Sequence, residues 1–334
     1  MIRTIFKLLL VAVLGCAIAA GGAYWLAHKP LAMTDGPVDF TIERGSGARA
    51  AANAIRAAGI DLDPRLFSWI ARLSGKARQL KAGSYEIAEP LSTMQLLAKL
   101  TAGDVSLREL RLIEGWTFVQ VRAAIDAHPD LAHDSRDMSG AEILAAIGAA
   151  EAHPEGLFFP DTYLFDLRSS DLDLYRRAYR EMQQRLAVAW QQRAEGLPLE
   201  TPYQALILAS IVEKETGRAE EREMIAAVFV NRLKRGMRLQ TDPTVIYGLG
   251  DAFDGNLRRR DLERDTPYNS YTRAGLPPTP IAMPGAASLA AALRPADTRH
   301  LYFVARGDGS SEFSRDLAAH NRAVNKYIRN GGGG

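Results

Sequence analysis

Two glutamates, Glu213 and Glu215, close the otherwise apolar run at residues 206–216 (LILASIVEKET). A carboxylate tied to so apolar a segment has its ionised form disfavoured and its pKa driven up, as a general acid working near neutral pH requires. Two residues apart on a helix, the pair diverges by about 200°, so both cannot face one cleft. Glu215 continues the stripe Leu208, Ile211 and Val212, whereas Glu213 continues Leu206 and Ala209. Both stripes are apolar, so periodicity does not choose between them. A purely structural role at the helix end is weak, because carboxylates there oppose the helix dipole. Residues 229–247 (FVNRLKRGMRLQTDPTVIY) and 268–285 (YNSYTRAGLPPTPIAMPG) then crowd amide, hydroxyl and aromatic groups into turn-like positions. One acid facing loops of that kind suggests a site for a long polar polymer such as a glycan.

The helix that carries the acids should start at Thr201-Pro202. A long amphipathic helix over 172–193 precedes it, ended by Gly196-Leu197-Pro198. A further helix over 222–235 sets Ile225, Val228, Phe229 and Leu233 on one face, and Gly236 stops it. From there the chain reads as loop-rich until a strand at 301–304 and a closing helix at 317–328, with 331–334 a frayed tail. Upstream, the pattern predicts three recurring strand–turn–helix units. Strands are expected at 38–42, 83–87 and 110–113, each followed by a Gly or Pro turn, a Ser or Thr cap and an amphipathic helix. Residues 42–55 (IERGSGARAAANAI) and 113–125 (IEGWTFVQVRAAI) display the repetition. Such units resemble LysM modules, which bind glycans containing N-acetylglucosamine; a generic α+β packing domain, with Trp116 as core filler, is the alternative.

The N-terminus bears on where this chemistry happens. Residues 8–26 carry no charge and would span about 28 Å as a helix, close to the hydrocarbon thickness of a bilayer. Arg3 and Lys7 precede the run, and Asp35, Asp39 and Glu43 follow it, although Lys29 is close. The positive-inside rule then leaves a short tail, residues 1–7, in the cytoplasm and puts everything after about residue 30 outside. A cleaved signal peptide competes through Ala17-Ile18-Ala19, and Val13-Leu14-Gly15-Cys16 is a weak lipobox. The apolar run continues through Tyr24, Trp25 and Leu26, as an anchor would. With Cys16 the only cysteine, an intrachain disulfide is impossible. A net charge of +2 without a basic block argues against a nucleic-acid partner. The six histidines show no ligand spacing, and His128 and His133 flank Pro129, so no metal site and no cofactor is expected.

Five blocks now give a specific resemblance: EGLFFPDTY (155–163), ASIVEKETG (209–217), VFVNRLKRGMRLQTDPTVIYG (228–248), YNSYTRAGLPPTPIAMPG (268–285) and LYFVARGDG…F…HN (301–321). In order and length they are similar to the successive motifs of the endolytic murein transglycosylases, the MltG or YceG-like family, and the likeness runs from the apolar N-terminus to about Tyr327. The family implies an α+β protein: a transmembrane helix at 8–27, a LysM-like module at 38–130 and a catalytic domain at 155–330 built on a lysozyme-like helix. It implies a single-pass inner-membrane enzyme with its catalytic domain in the periplasm. Its substrate is the nascent peptidoglycan glycan strand, cut between N-acetylmuramic acid and N-acetylglucosamine, with cell-wall synthases as further partners. Met283 departs from the family, in which a polar residue more often precedes Pro-Gly.

Glu215-Thr216-Gly217 resembles the Glu-Ser signature of lysozyme-like transglycosylases, and this favours Glu215 as the catalytic acid. Glu213 becomes a supporting group, paired with Arg232 or Arg238. One acid suffices if the substrate's own muramyl C6 hydroxyl is the nucleophile, whereas a glycosidase normally needs two carboxylates. Asn231, Gln240, Thr241, Tyr268 and Asn269 are candidates to stabilise the oxocarbenium-like state, with Tyr247 or Tyr271 packing on a sugar face. Each has a structural alternative as a turn cap or core residue. Two rival readings stand: a hydrolase with Asp242 as second carboxylate, and a non-catalytic membrane-tethered glycan-binding scaffold.

Overall fold

The computed structural model describes residues 2–34, 36–215 and 217–329. Asp35, Thr216 of the Glu215-Thr216-Gly217 signature, and the 331–334 tail lie outside the described residues. Within them the fold mixes helices with three two-stranded sheets. The chain divides into two compact units, one of residues 1–108 and 164–168, the other of residues 109–163 and 169–334.

The first unit opens with α1 (Ile2–His28), whose stretch Leu9–His28 is long and apolar enough to cross a membrane. β1 (Val38–Ile42) alternates buried and exposed residues along its length, so Val38, Phe40 and Ile42 all enter the core. α2 (Ala48–Ala57) and α3 (Pro64–Leu73) follow, then β2 (Gly83–Ile87) and α4 (Thr93–Ala102). β1 and β2 pair antiparallel, Val38 opposite Ile87 and Ile42 opposite Gly83. Their inner face packs with Ile55 of α2, Phe67 of α3, and Leu96, Leu97 and Leu100 of α4. Ser92 caps α4 in a reciprocal box with Gln95, as its sequence predicts. The first repeat lacks such a cap: the residue before α2 is Gly47, which offers no side-chain acceptor. α3 is absent from the sequence reading, although Asp63-Pro64 is a start signal and Asp63 accepts from the amides of Arg65 and Leu66.

The chain leaves and re-enters this unit along β3 (Leu107–Arg111) and β4 (Thr162–Asp166), a two-stranded pair. α5 (Phe118–Asp126), capped by Thr117 and Gln120, and α6 (Gly140–Ile147), capped by Ser139 and Glu142, fall between them. The third of the expected repeats therefore differs from the other two. Its strand is shifted toward the N-terminus, and its helix lies in the second unit, whereas the expected module ran to residue 130.

The second unit is organised around α8 (Pro202–Glu215). Every residue from Ala205 to Val212 on it is buried, because α7 (Asp171–Gln191), α9 (Arg222–Lys234), α10 (Asp242–Leu249) and α12 (Ala286–Leu293) all pack on it. α11 (Arg259–Glu263) lies between α10 and α12. A hairpin of β5 (Tyr302–Ala305) and β6 (Ser311–Ser314) precedes the closing helix α13 (Leu317–Val324). The region expected to be loop-rich thus holds three helices. Asp242-Pro243 reads as a turn, but Pro at the first helical positions is also how a helix opens.

Candidate active site

Glu215 is the last residue of α8, and its side chain looks into a cavity of about 500 Å³ walled by Arg232, Gln240, Thr241, Asp242, Tyr271, Tyr302 and residues of α13. The carboxyl is enclosed although the residue as a whole keeps some solvent contact. Burial pushes it up to about 7; the Thr241 hydroxyl pulls the other way, Asp242 adds to the rise and Arg232 opposes it. Thr241 donates its hydroxyl to Glu215 Oε1. Thr241 is itself fixed, its amide donating to Ser270 Oγ at 3.0 Å and its carbonyl accepting from the Thr244 hydroxyl at 2.7 Å. Just before it, Gln240 holds a left-handed backbone (φ 49°), rare for a residue with a side chain. The strain is offset by its amide donating to Ser270 O at 3.1 Å.

Asp242, at the first position of α10, is exposed to the same cavity and accepts a 2.5 Å hydrogen bond from Tyr271 Oη. Arg232 is buried and spends its donors on backbone carbonyls, Nε on Leu301 at 2.7 Å and Nη1 on Leu239 at 2.6 Å. Its guanidinium lies 5.1 Å from the Tyr302 ring centroid, and Tyr302 stacks in turn on His320 at 5.1 Å. Arg232 belongs to the block VFVNRLKRGMRLQTDPTVIYG, and Tyr302 and His320 to the block LYFVARGDG…F…HN. The sequence reading quoted that block without giving Tyr302 or His320 a role; the block's aromatic and imidazole content was the available signal.

The other predicted residues go elsewhere. Glu213 diverges from Glu215 as the helical angle requires, and its Oε2 accepts from the Gly285 amide at 2.9 Å. The expected partners Arg232 and Arg238 do not reach it, since Arg238 donates to Tyr271 O at 3.0 Å. Asn231 donates to the carbonyls of Thr298 (2.8 Å) and His300 (3.0 Å), tying α9 to the loop ahead of β5. Asn269 is fully buried, gives its amide to the carbonyls of Leu262 and Arg264, and accepts from Tyr271 N at 2.8 Å. It shapes the loop that presents Tyr271. Met283 is buried, with its backbone bonded to Gly115 and Trp116, so its side chain does not present itself to a ligand.

Tyr247 and Tyr268 meet each other edge to face at 4.8 Å, and Tyr247 reaches a second acid, Glu155. Tyr247 Oη donates to Glu155 Oε2 at 3.0 Å and the Phe118 amide to Oε1 at 3.0 Å, while Tyr268 Oη meets Thr279 Oγ1 at 2.9 Å. Burial pushes Glu155 up to about 7 as well, but it is 2 % exposed and does not line the cavity of Glu215. The sequence reading passed over it because it sits in a loop with no helical stripe.

An enclosed carboxyl pushed up to about 7, ending a buried helix and faced by hydroxyl, amide and aromatic groups, has the properties that a general acid needs near neutral pH. Residues 40–326 match the model of the YceG-like family, and the chain belongs to that family. A Bacillus subtilis (strain 168) protein named endolytic murein transglycosylase is 30% identical over 315 residues, covering 87% of this chain and 85% of that one. One of the same name from Streptococcus pneumoniae (strain R6) is 27% identical over 328 residues; the match covers 87% of this chain and 58% of the longer relative. A crystal structure of a YceG-like protein from Listeria monocytogenes aligns with a TM-score of 0.53 at 29% identity, covering 86% of this chain and 98% of that one.

Proposed function

We propose that this chain is a lytic transglycosylase that cleaves peptidoglycan glycan strands internally, with Glu215 as the single catalytic acid and base. The observation that carries the reading is the Glu215 carboxyl, raised to about 7 and opening on a cavity lined with polar and aromatic groups. The names of the relatives supply the substrate class. Protonated Glu215 gives its proton to the glycosidic oxygen between N-acetylmuramic acid and N-acetylglucosamine. As carboxylate it then takes the proton of the muramyl C6 hydroxyl, whose oxygen closes on C1 to leave a 1,6-anhydro end. No second carboxylate and no water enter. The Tyr271 and Tyr302 wall and the Gln240-Thr241 turn supply dipoles to the developing charge.

The same reading makes α1 a membrane anchor with residues 1–7 cytoplasmic and the remainder periplasmic, beside the synthases whose strands the enzyme would terminate. The strand–helix module of the first unit would then hold glycan in the LysM manner. A hydrolase reading has one observation in its favour, the presence of Asp242 in the same cavity. Mass spectrometry of products formed in oxygen-18 water separates the two. Anhydro-muramyl ends without label are expected, with activity retained in Asp242→Asn. Labelled reducing ends, or a folded but inactive Asp242→Asn, would establish the hydrolase instead.

A further inference from the structure

We propose that Asp126, His133 and Asp171 form a binding site for one divalent cation of the zinc type, which fastens the loop after α5 to the start of α7. Asp126 ends α5, His133 lies in the loop, and Asp171 opens α7. One ligating atom from each lies within 4.8 Å of the other two. That spacing, 126, 133 and 171, has no signature in the sequence, which is why the histidine pattern suggested no metal.

The cluster is incompletely satisfied as a set of protein groups. Asp126 Oδ1 and His133 Nδ1 are buried atoms with no hydrogen-bond partner. Tyr175, one helical turn beyond Asp171 and 0 % exposed, buries its hydroxyl likewise; it faces Ser135 without forming a good hydrogen bond. A buried polar atom without a partner is uncommon in a folded protein, and two of the three clustered residues each carry one.

The neighbouring groups fit a cation. Asp171 is held in place by the Ser135 hydroxyl (2.7 Å to Oδ2) and amide (3.2 Å), yet each carboxylate oxygen keeps a further lone pair. Bonds of this kind orient metal ligands from behind. Arg122 Nε lies 3.5 Å from Asp126 Oδ2 and leaves Oδ1 free, while its Nη2 donates to Arg136 O at 2.8 Å. The cluster thus sets two carboxyl groups and an imidazole against one guanidinium. One imidazole with two carboxylates suits Zn²⁺ better than Mg²⁺ or Ca²⁺, which favour all-oxygen sets. The site would reinforce an existing junction, in which Ala132 N donates to Ser169 O at 2.9 Å and Asp171 N to Ala132 O at 3.0 Å. None of these residues lines the Glu215 cavity.

The test uses the full chain without a histidine tag, carrying Cys16→Ser to remove a competing thiol, stripped with chelator and titrated calorimetrically with Zn²⁺, Mg²⁺ and Ca²⁺. The proposal expects one Zn²⁺ per chain, a rise in melting temperature on binding, and an affinity loss of about tenfold or more in Asp126→Asn and in His133→Gln. X-ray absorption at the zinc edge of the otherwise unaltered chain should show a single imidazole in an oxygen-rich shell, and this readout stands even if a variant fails to fold. Absence of stoichiometric binding, undiminished affinity in both folded variants, tighter binding of Mg²⁺ or Ca²⁺, or a shell with several imidazoles would overturn it.

Discussion

Replacing Thr241 by Val removes one hydroxyl from the Glu215 carboxyl while keeping nearly the same shape. The proposed reaction begins with Glu215 protonated, so kcat/KM should fall as pH rises through about 7. The Thr241 hydroxyl donates to Oε1 and therefore favours the ionised form, so it holds the pKa below where burial alone would leave it. A hydrogen bond to a charged group is worth about 1.5–3 kcal/mol, and about 1.4 kcal/mol corresponds to one pKa unit. Thr241→Val should thus carry the alkaline limb upward by about one to two pH units, toward the lower figure because Glu215 keeps some solvent contact. Asp242→Asn should do the opposite: its charge raises Glu215, so its removal moves the limb to lower pH. That displacement should be smaller, since Asp242 is exposed and screened by salt. The assay is the initial rate of soluble product release from purified peptidoglycan strands at subsaturating substrate, from about pH 5 to about pH 9. An unmoved limb in Thr241→Val, or two variants displaced in the same direction, would refute the electrostatic argument.

Glu215→Gln should lower turnover by about 10²–10⁴-fold or more with folding and strand binding retained, and Glu213→Gln clearly less; the reverse order in a turnover assay would exchange their roles. Glu155, raised by burial to about 7, favours the folded state while protonated, so stability should fall as pH rises from about 4.5 to about 7. Chemical denaturation across that window should show a shallower fall in Glu155→Gln, and an unchanged slope would mean Glu155 is ionised at little cost. Gly156 has φ 79° and would place a Cβ 2.4 Å from Pro280 Cβ, so Gly156→Ala should destabilise by about 2 kcal/mol or more in a thermal melt. A reporter fused after Tyr327 should be periplasmic and membrane-bound; its recovery in the soluble periplasmic fraction would argue for a cleaved signal.

Much of the fold is legible in local pattern. β1 and β2 fall where alternation and turns put them, α9 where its apolar face and Gly236 end it, and α4 behind the cap its Ser92 advertises. These signals are short-range, since period, cap and breaker all act within a few residues. The raised acid was legible too, because a carboxylate joined to residues 206–212 has no alternative apolar-free environment. What the sequence could not decide was its orientation. α8 is buried all round, so both stripes look alike, and only the packing of α9, α10 and α12 sends Glu215 to the cavity and Glu213 to Gly285. In the same way Tyr247, Tyr268 and Asn269 carry suitable chemistry but spend it on Glu155, the Thr279 hydroxyl and loop carbonyls respectively. Tyr302 and His320 arrive at the site from far along the chain. A one-dimensional sequence specifies which groups are present and which local conformations they favour. Which of them converge is set by burial of the shared core, a long-range term that no single segment contains.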